Sequence, residues 1–111
     1  MVITEVNDMW IRSGFWLGTP RDEMVFRAAI VDEIVPMLKA LPGVKDAQAL
    51  WPRRLEAGAP AIACQMLVHV DGLDAIDGML ASPGRATMRT RVLEILEEFD
   101  GIISHIDYEV S

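Results

Sequence analysis

Apolar and polar positions along the chain alternate first with period two and then with helical spacing, and the cycle repeats. From Val6 to Leu17, Met9, Ile11, Phe15 and Leu17 fall on one parity and Trp10, Arg12 and Trp16 on the other. That two-residue period predicts a β-strand. Gly18-Thr19-Pro20 should break the strand, with Thr19 as N-cap and Pro20 at the first helical position, ahead of acidic Asp22 and Glu23. A helix over Pro20 to Leu41 then carries two apolar stripes: Phe26, Ile30, Ile34, Met37 and Leu41, and Met24, Ala28, Val31, Val35 and Leu38. One sheet face would not cover both. Pro36 lies inside this pattern, where a proline removes a hydrogen bond and crowds the preceding turn, so a kink or break is expected near Asp32 to Val35.

Pro42-Gly43 closes the helix, and Val44 to Trp51 reads as a second strand that Pro52 confines to an edge or a strand end. Arg53 to Pro60 is a loop. Ala61 to Val70 is a nearly continuous apolar strand, with Gln65 and His69 its polar residues, and should be central and covered on both sides. Leu73, Ile76, Met79 and Leu80 recur at helical spacing up to Ser82-Pro83-Gly84; Met88, Val92, Ile95, Leu96 and Phe99 continue on one stripe to Asp100-Gly101. Ile102 to Val110 alternates as a last strand. The order β-α-β-β-α-β is the split βαβ, or ferredoxin-like, motif: an α+β fold with a four-stranded antiparallel sheet and helices on one face.

Composition narrows the partners. The 111 residues fit one domain, residues 1–111, and 51% of them are apolar, enough for a core without disulfides. A formal net charge of −7 repels a phosphate backbone, which argues against nucleic acid. Arg85, Arg89 and Arg91 read as the wet side of a helix. Cys64 is the only cysteine and sits in an apolar run, as a small buried side chain would. The first residues show no basic or sustained apolar segment, and nowhere do about 18 apolar residues run together, so no membrane is expected and the cytoplasm is the expected location.

The stretch Val35-Pro36-Met37 through Leu41-Pro42-Gly43-Val44 resembles the helix end of the EthD-like family, which reads His-x-Pro-Leu and then Leu-Pro-Gly, and Phe99-Asp100 and Glu109 are similar to its C-terminal segment. The resemblance implies a dimeric α+β barrel, a homodimer in which two sheets pack face to face. It also implies a wider superfamily of cofactor-free monooxygenases, haem-degrading enzymes, lactone isomerases and polyketide-tailoring enzymes, so fold constrains function weakly. Ile34 stands where the family has its histidine.

Giving the more apolar parity of each strand to the helices puts Met9, Ile11, Phe15, Ala47, Ala49, Trp51, Ile62, Cys64, Met66, Val68, Ile102, Ile106 and Tyr108 on the helix side. The other face then gathers Asp8, Trp10, Arg12, Trp16, Gln65, His69, His105 and Asp107. In a dimeric barrel that face is an enclosed interior whose polar groups need partners. His105 and His69 are the side chains that titrate near neutrality, and the plain reading of each is a hydrogen-bonded structural residue. The sharper reading makes one of them, His105 ahead of His69, a general acid or base oriented by Asp107 or Asp8, with Arg12 holding an anionic or enolate oxygen.

Trp10, Trp16, Arg12 and Gln65 would bind substrate in this arrangement, although core or interface packing is the simpler role for each tryptophan. A metal on His69, His105 and Asp107 is discounted, because the expected strand order 4-1-3-2 puts the two histidine strands about 9.6 Å apart. The sequence carries no GxGxxG, phosphate loop, GxSxG or HExxH, so no cofactor is expected. Two functions remain: a homodimer that binds or transforms a small hydrophobic organic molecule as a cofactor-free monooxygenase, isomerase or cyclase, or a non-catalytic homodimeric binding module.

Overall fold

Two glycines facing each other across a strand pair extend the sheet past the expected break. In the computed structural model, which describes residues 9–111, β1 spans Trp10–Pro20 and pairs antiparallel with β4, Phe99–Glu109, with Gly18 opposite Gly101. A Cβ on Gly18, whose φ is 138°, would collide with the Asp100 carbonyl, and one on Gly101 with the Leu17 carbonyl. Only glycine permits that approach. Gly18-Thr19-Pro20 therefore stays in the ladder, and the helix begins later than its sequence signals imply. Asp22, not Thr19, is the N-cap, accepting from the Val25 N–H at 3.1 Å. The stretch Val6 to Asp8, with Asp8 as an orienting carboxylate, lies outside the described residues.

The first helical region has three parts: α1, Glu23–Ala29; a π-helical turn, Ile30–Ile34; and α2, Val35–Lys39. The expected irregularity near Pro36 is this turn, in which the Val35 N–H bonds the Ile30 carbonyl. A widened turn just before a proline accommodates a residue that has no N–H to give and a ring that crowds the turn before it. Strands β2, Val44–Leu50, and β3, Ile62–Val70, follow, then α3, Leu73–Leu80, and α4, Pro83–Glu97. Ser82 caps α4 by accepting from Arg85 N–H at 3.3 Å, and Pro83 takes the first turn. The sheet is antiparallel in the order β2-β3-β1-β4, the α+β ferredoxin-like arrangement expected from the element order. No helix among the described residues is long and apolar enough to cross a membrane.

The core lies between the sheet and the helices. Ile30, Ile34, Ile76 and Val70 are fully buried, and Trp16 makes edge-on contacts with Phe26 at 5.1 Å and Phe99 at 5.2 Å. Trp51 closes this cluster against Phe26, with the Arg27 guanidinium 4.7 Å from its ring centroid. Cys64 is fully buried as expected, and burial pushes its thiol up to about 12, which leaves it an unreactive apolar side chain.

Strand register corrects the expected faces. Directly opposed residues share a side of the sheet, and Trp10, Arg12 and Trp16 stand opposite Val70, Val68 and Cys64, all buried in the core. Arg12, Gly14 and Trp16 likewise stand opposite Asp107, His105 and Ile103. The helix side of β1 and β4 therefore carries Trp10, Arg12, Trp16, Ile103, His105 and Asp107, the reverse of the expectation, while β2 and β3 face as expected except at Ile62, which a bulge sets opposite Leu17 on the outer side, leaving Ala63 against the core. The reversal has a physical cause: the outer face is itself apolar. Ile102, Ile106 and Tyr108 remain 62%, 46% and 42% exposed, so counting apolar residues by parity does not identify the inner side.

Candidate functional site

A cavity of about 480 Å³ opens between the helix side of the sheet and α2, α3 and α4. It exists because α4 and β4 pack sparsely. Ile95 is the one buried residue of α4 and Phe99 the one buried residue of β4. The space between them is walled by Ile34, Leu38 and Leu41, by Met79 and Leu80, and by Met88, Val92 and Leu96, over a floor of Trp16, Met66, Val68 and Ile103. Such a volume with mostly apolar walls and few polar groups suits a small organic molecule. The polar side chains lining it are Arg12, His105, Arg85 and Arg89.

Gly14 lies directly against His105. The two residues are opposed across β1 and β4, and a Cβ on Gly14 would lie 3.5 Å from the imidazole Cδ2 and Nε2. Burial holds the His105 pKa below its ordinary value; the Arg12 charge adds to this, Asp107 opposes it, and Arg85 and Arg89 push the same way as Arg12. His105 is exposed in the single chain, and the surrounding groups disfavour the imidazolium, which favours the neutral ring that can accept a proton. Arg12 Nη1 donates to both carboxylate oxygens of Asp107, at 2.9 and 3.1 Å, with the Arg12 side chain only 17% exposed. That ion pair fixes the guanidinium at the cavity wall.

The expected site residues divide between the two faces. Arg12, Trp16 and His105 line the cavity, and Asp107 joins them through Arg12. Trp16 is 2% exposed and serves mainly as core. Trp10 is on the same face and packs against the core outside the cavity lining. Gln65 and His69 lie on the opposite, outer face, because they stand opposite Phe15 and Ile11. Gln65 Nε2 donates to Ser13 Oγ at 2.9 Å, and Ser13 is fully buried. His69 Nε2 is buried without a hydrogen-bond partner among the described residues. The two histidines, on opposite sides of the sheet, cannot share a ligand. No group of three His, Cys, Asp or Glu among the described residues could hold a metal ion.

Arg85 and Arg89 are the site residues that the sequence reading assigned to the wet side of a helix. Arg89 is exposed, as that reading expected, and Arg85 is half-buried, yet both also line the cavity, and their spacing shows why. With α4 starting at Pro83, positions 85, 88, 89, 92 and 96 fall on one helical face, so the two arginines share the side of Met88, Val92 and Leu96. Arg91 points elsewhere and pairs with Glu33 at 2.9 Å and Glu94 at 3.2 Å. Ile34, at the position where the EthD-like family has its histidine, does reach the cavity, as an apolar wall.

No protein-family model and no curated protein matches the sequence. Solved structures do match the fold. An EthD family protein from Bacillus halodurans superimposes with a TM-score of 0.78 at 11% identity, over 93% of this chain and 99% of that one. A dimeric ferredoxin-like protein of unknown function from Thermobifida fusca gives 0.67 at 14% identity over 99% of both chains. A cofactor-independent oxygenase from Streptomyces nogalater gives 0.64 at 12% identity, over 95% of this chain and 94% of that one. The chain therefore has the ferredoxin-like fold of EthD family and dimeric ferredoxin-like proteins, as its sequence resemblance implied.

Proposed function

We propose that residues 1–111 act as one domain that pairs with a second copy through the outer face of its sheet, and that the cavity binds and transforms a small hydrophobic organic molecule without a cofactor. The observation that carries this reading is His105, which stands at the wall of a mostly apolar cavity beside Gly14 and the Arg12–Asp107 pair. A neutral imidazole accepts a proton from an acidic C–H or O–H of the substrate, and the resulting enolate or phenolate is stabilised by the Arg12 guanidinium, already oriented by Asp107. The apolar walls exclude water from that anion. Proton abstraction of this kind opens isomerisation, cyclisation and cofactor-free oxygenation alike. The description of the Streptomyces nogalater protein as a cofactor-independent oxygenase is consistent with the last.

Thermal-shift screening of aromatic and polyketide-like compounds, followed by solvent-deuterium exchange into those that bind, tests the proposal. His105→Ala should abolish exchange while the protein still folds; undiminished exchange in that variant would remove His105 from the chemistry. Ile34 favours a second reading, a non-catalytic homodimeric binding module, since the cavity holds no side chain of acid–base type at that position. Compounds that raise the melting temperature but neither exchange nor disappear would establish it.

A further inference from the structure

Charge is distributed around the cavity against the grain of the molecule. The sequence has 17 acidic and 10 basic residues, yet Arg12, Arg85 and Arg89 line the cavity and no carboxylate among the described residues does so. Arg12 already has a carboxylate partner in Asp107. Arg85 and Arg89 are different: neither guanidinium has an ion pair or side-chain hydrogen bond among the described residues, whereas Arg91 on the same helix has two carboxylate partners. Like charges four residues apart on a helix repel by a few tenths of a kcal/mol. Here they line the cavity beside Met88, Val92 and Leu96, Arg85 half-buried and Arg89 exposed.

From this arrangement we infer that the cavity takes an amphipathic organic acid, its carboxylate held by Arg85 and Arg89 and its hydrocarbon body lying along Met88, Val92 and Leu96. The inference rests on the reading of the cavity as a small-molecule site and names the class of molecule it selects. Planar guanidinium groups match a carboxylate with paired, charge-assisted hydrogen bonds. His105 complements the pair, since its neutral ring adds a hydrogen-bonding group without drawing the anion away from the arginines. The volume, equal to about sixteen water molecules of liquid, suits an acid with a medium-length chain or two fused rings.

Decanoate and 2-naphthoate, compared with decanol and 2-naphthalenemethanol by titration calorimetry on the full chain, test the inference. The acids should bind about tenfold or more tighter than the alcohols, the scale of one charge-assisted hydrogen bond, and the advantage should shrink as salt rises. R85Q/R89Q, altering side chains without partners and so leaving the fold intact, should erase the difference. Cavity-filling Val92→Trp and Gly14→Leu should each weaken all four probes, placing them in the cavity. Equal binding of acids and alcohols, or an acid preference that survives R85Q/R89Q, overturns the inference while the small-molecule site stands. Failure of all four probes to bind, or binding unaffected by both cavity-filling variants, overturns both.

Discussion

Gly14 and His105 oppose each other across β1 and β4, with the imidazole edge 3.5 Å from where a Cβ of residue 14 would stand. That distance is ordinary van der Waals contact, so Gly14→Ala should fold normally and gain about 0.5 kcal/mol from the reduced freedom of its unfolded chain. Gly14→Leu should still fold, because its side chain enters the cavity, but it should displace the imidazole and cut ligand affinity about tenfold, one hydrogen bond's worth. Chemical denaturation and ligand titration on the two variants measure these effects separately. Parent-like affinity in Gly14→Leu would show that the ligand does not approach His105.

His105 should titrate below 6.5, its ordinary value. The sign follows from linkage. As pH falls through about 6.5 the unfolded chain takes up this proton first, so stability present above that pH is lost progressively toward the folded midpoint. His105→Gln should remove this part of the slope. Following the imidazole Cε1–H by NMR, Asp107→Asn should lower the midpoint further, because it deletes the one neighbouring charge that favours imidazolium, while Arg89→Gln should raise it. A midpoint at or above 6.5 in the parent would contradict the proposed base.

The outer sheet face carries Leu67, Ile106 and Tyr108 around buried Ser13 and its half-buried partner Gln65. Sedimentation at micromolar concentration should give about twice the 12.3 kDa chain mass, and Leu67→Glu should reduce it to the single-chain value by burying a charge without a partner. A parent that sediments as one chain at every concentration would leave that face without its proposed cover.

Element order, the central strand Ile62–Val70 and the irregularity before Pro36 were legible in the sequence because each depends on local signals: period, turn residues, a proline. Facing was not. Trp16 belongs inside and Phe15 outside, yet both are large and aromatic, and a sheet that is apolar on both sides gives parity little to distinguish. His105, Arg12 and Asp107 were correctly grouped because the reversals of β1 and β4 occur together, two adjacent strands turning over as one. Gln65 and His69 were wrongly joined to them because β3 did not turn with its neighbour. Arg85 and Arg89 escaped for a different reason. Charge on a helix suggests water until it is read with its neighbours three, four and seven residues on; Met88, Val92 and Leu96 put both arginines on the stripe that lines the cavity.

The π turn at Ile30–Ile34 makes one wall of the cavity depend on a residue count. An α-helix advances about 100° per residue, and a turn containing one extra residue rotates everything after it by that amount relative to the helix before. Leu38 and Leu41 follow the turn and line the cavity, while Phe26 and Ala29 precede it and fill the core. Deleting Val31, an exposed residue within the turn, would leave every cavity-lining side chain in the sequence yet swing Leu38 away from its place. In this helix, length acts as a phase setting, and a chain one residue shorter could keep its fold while presenting a different interior.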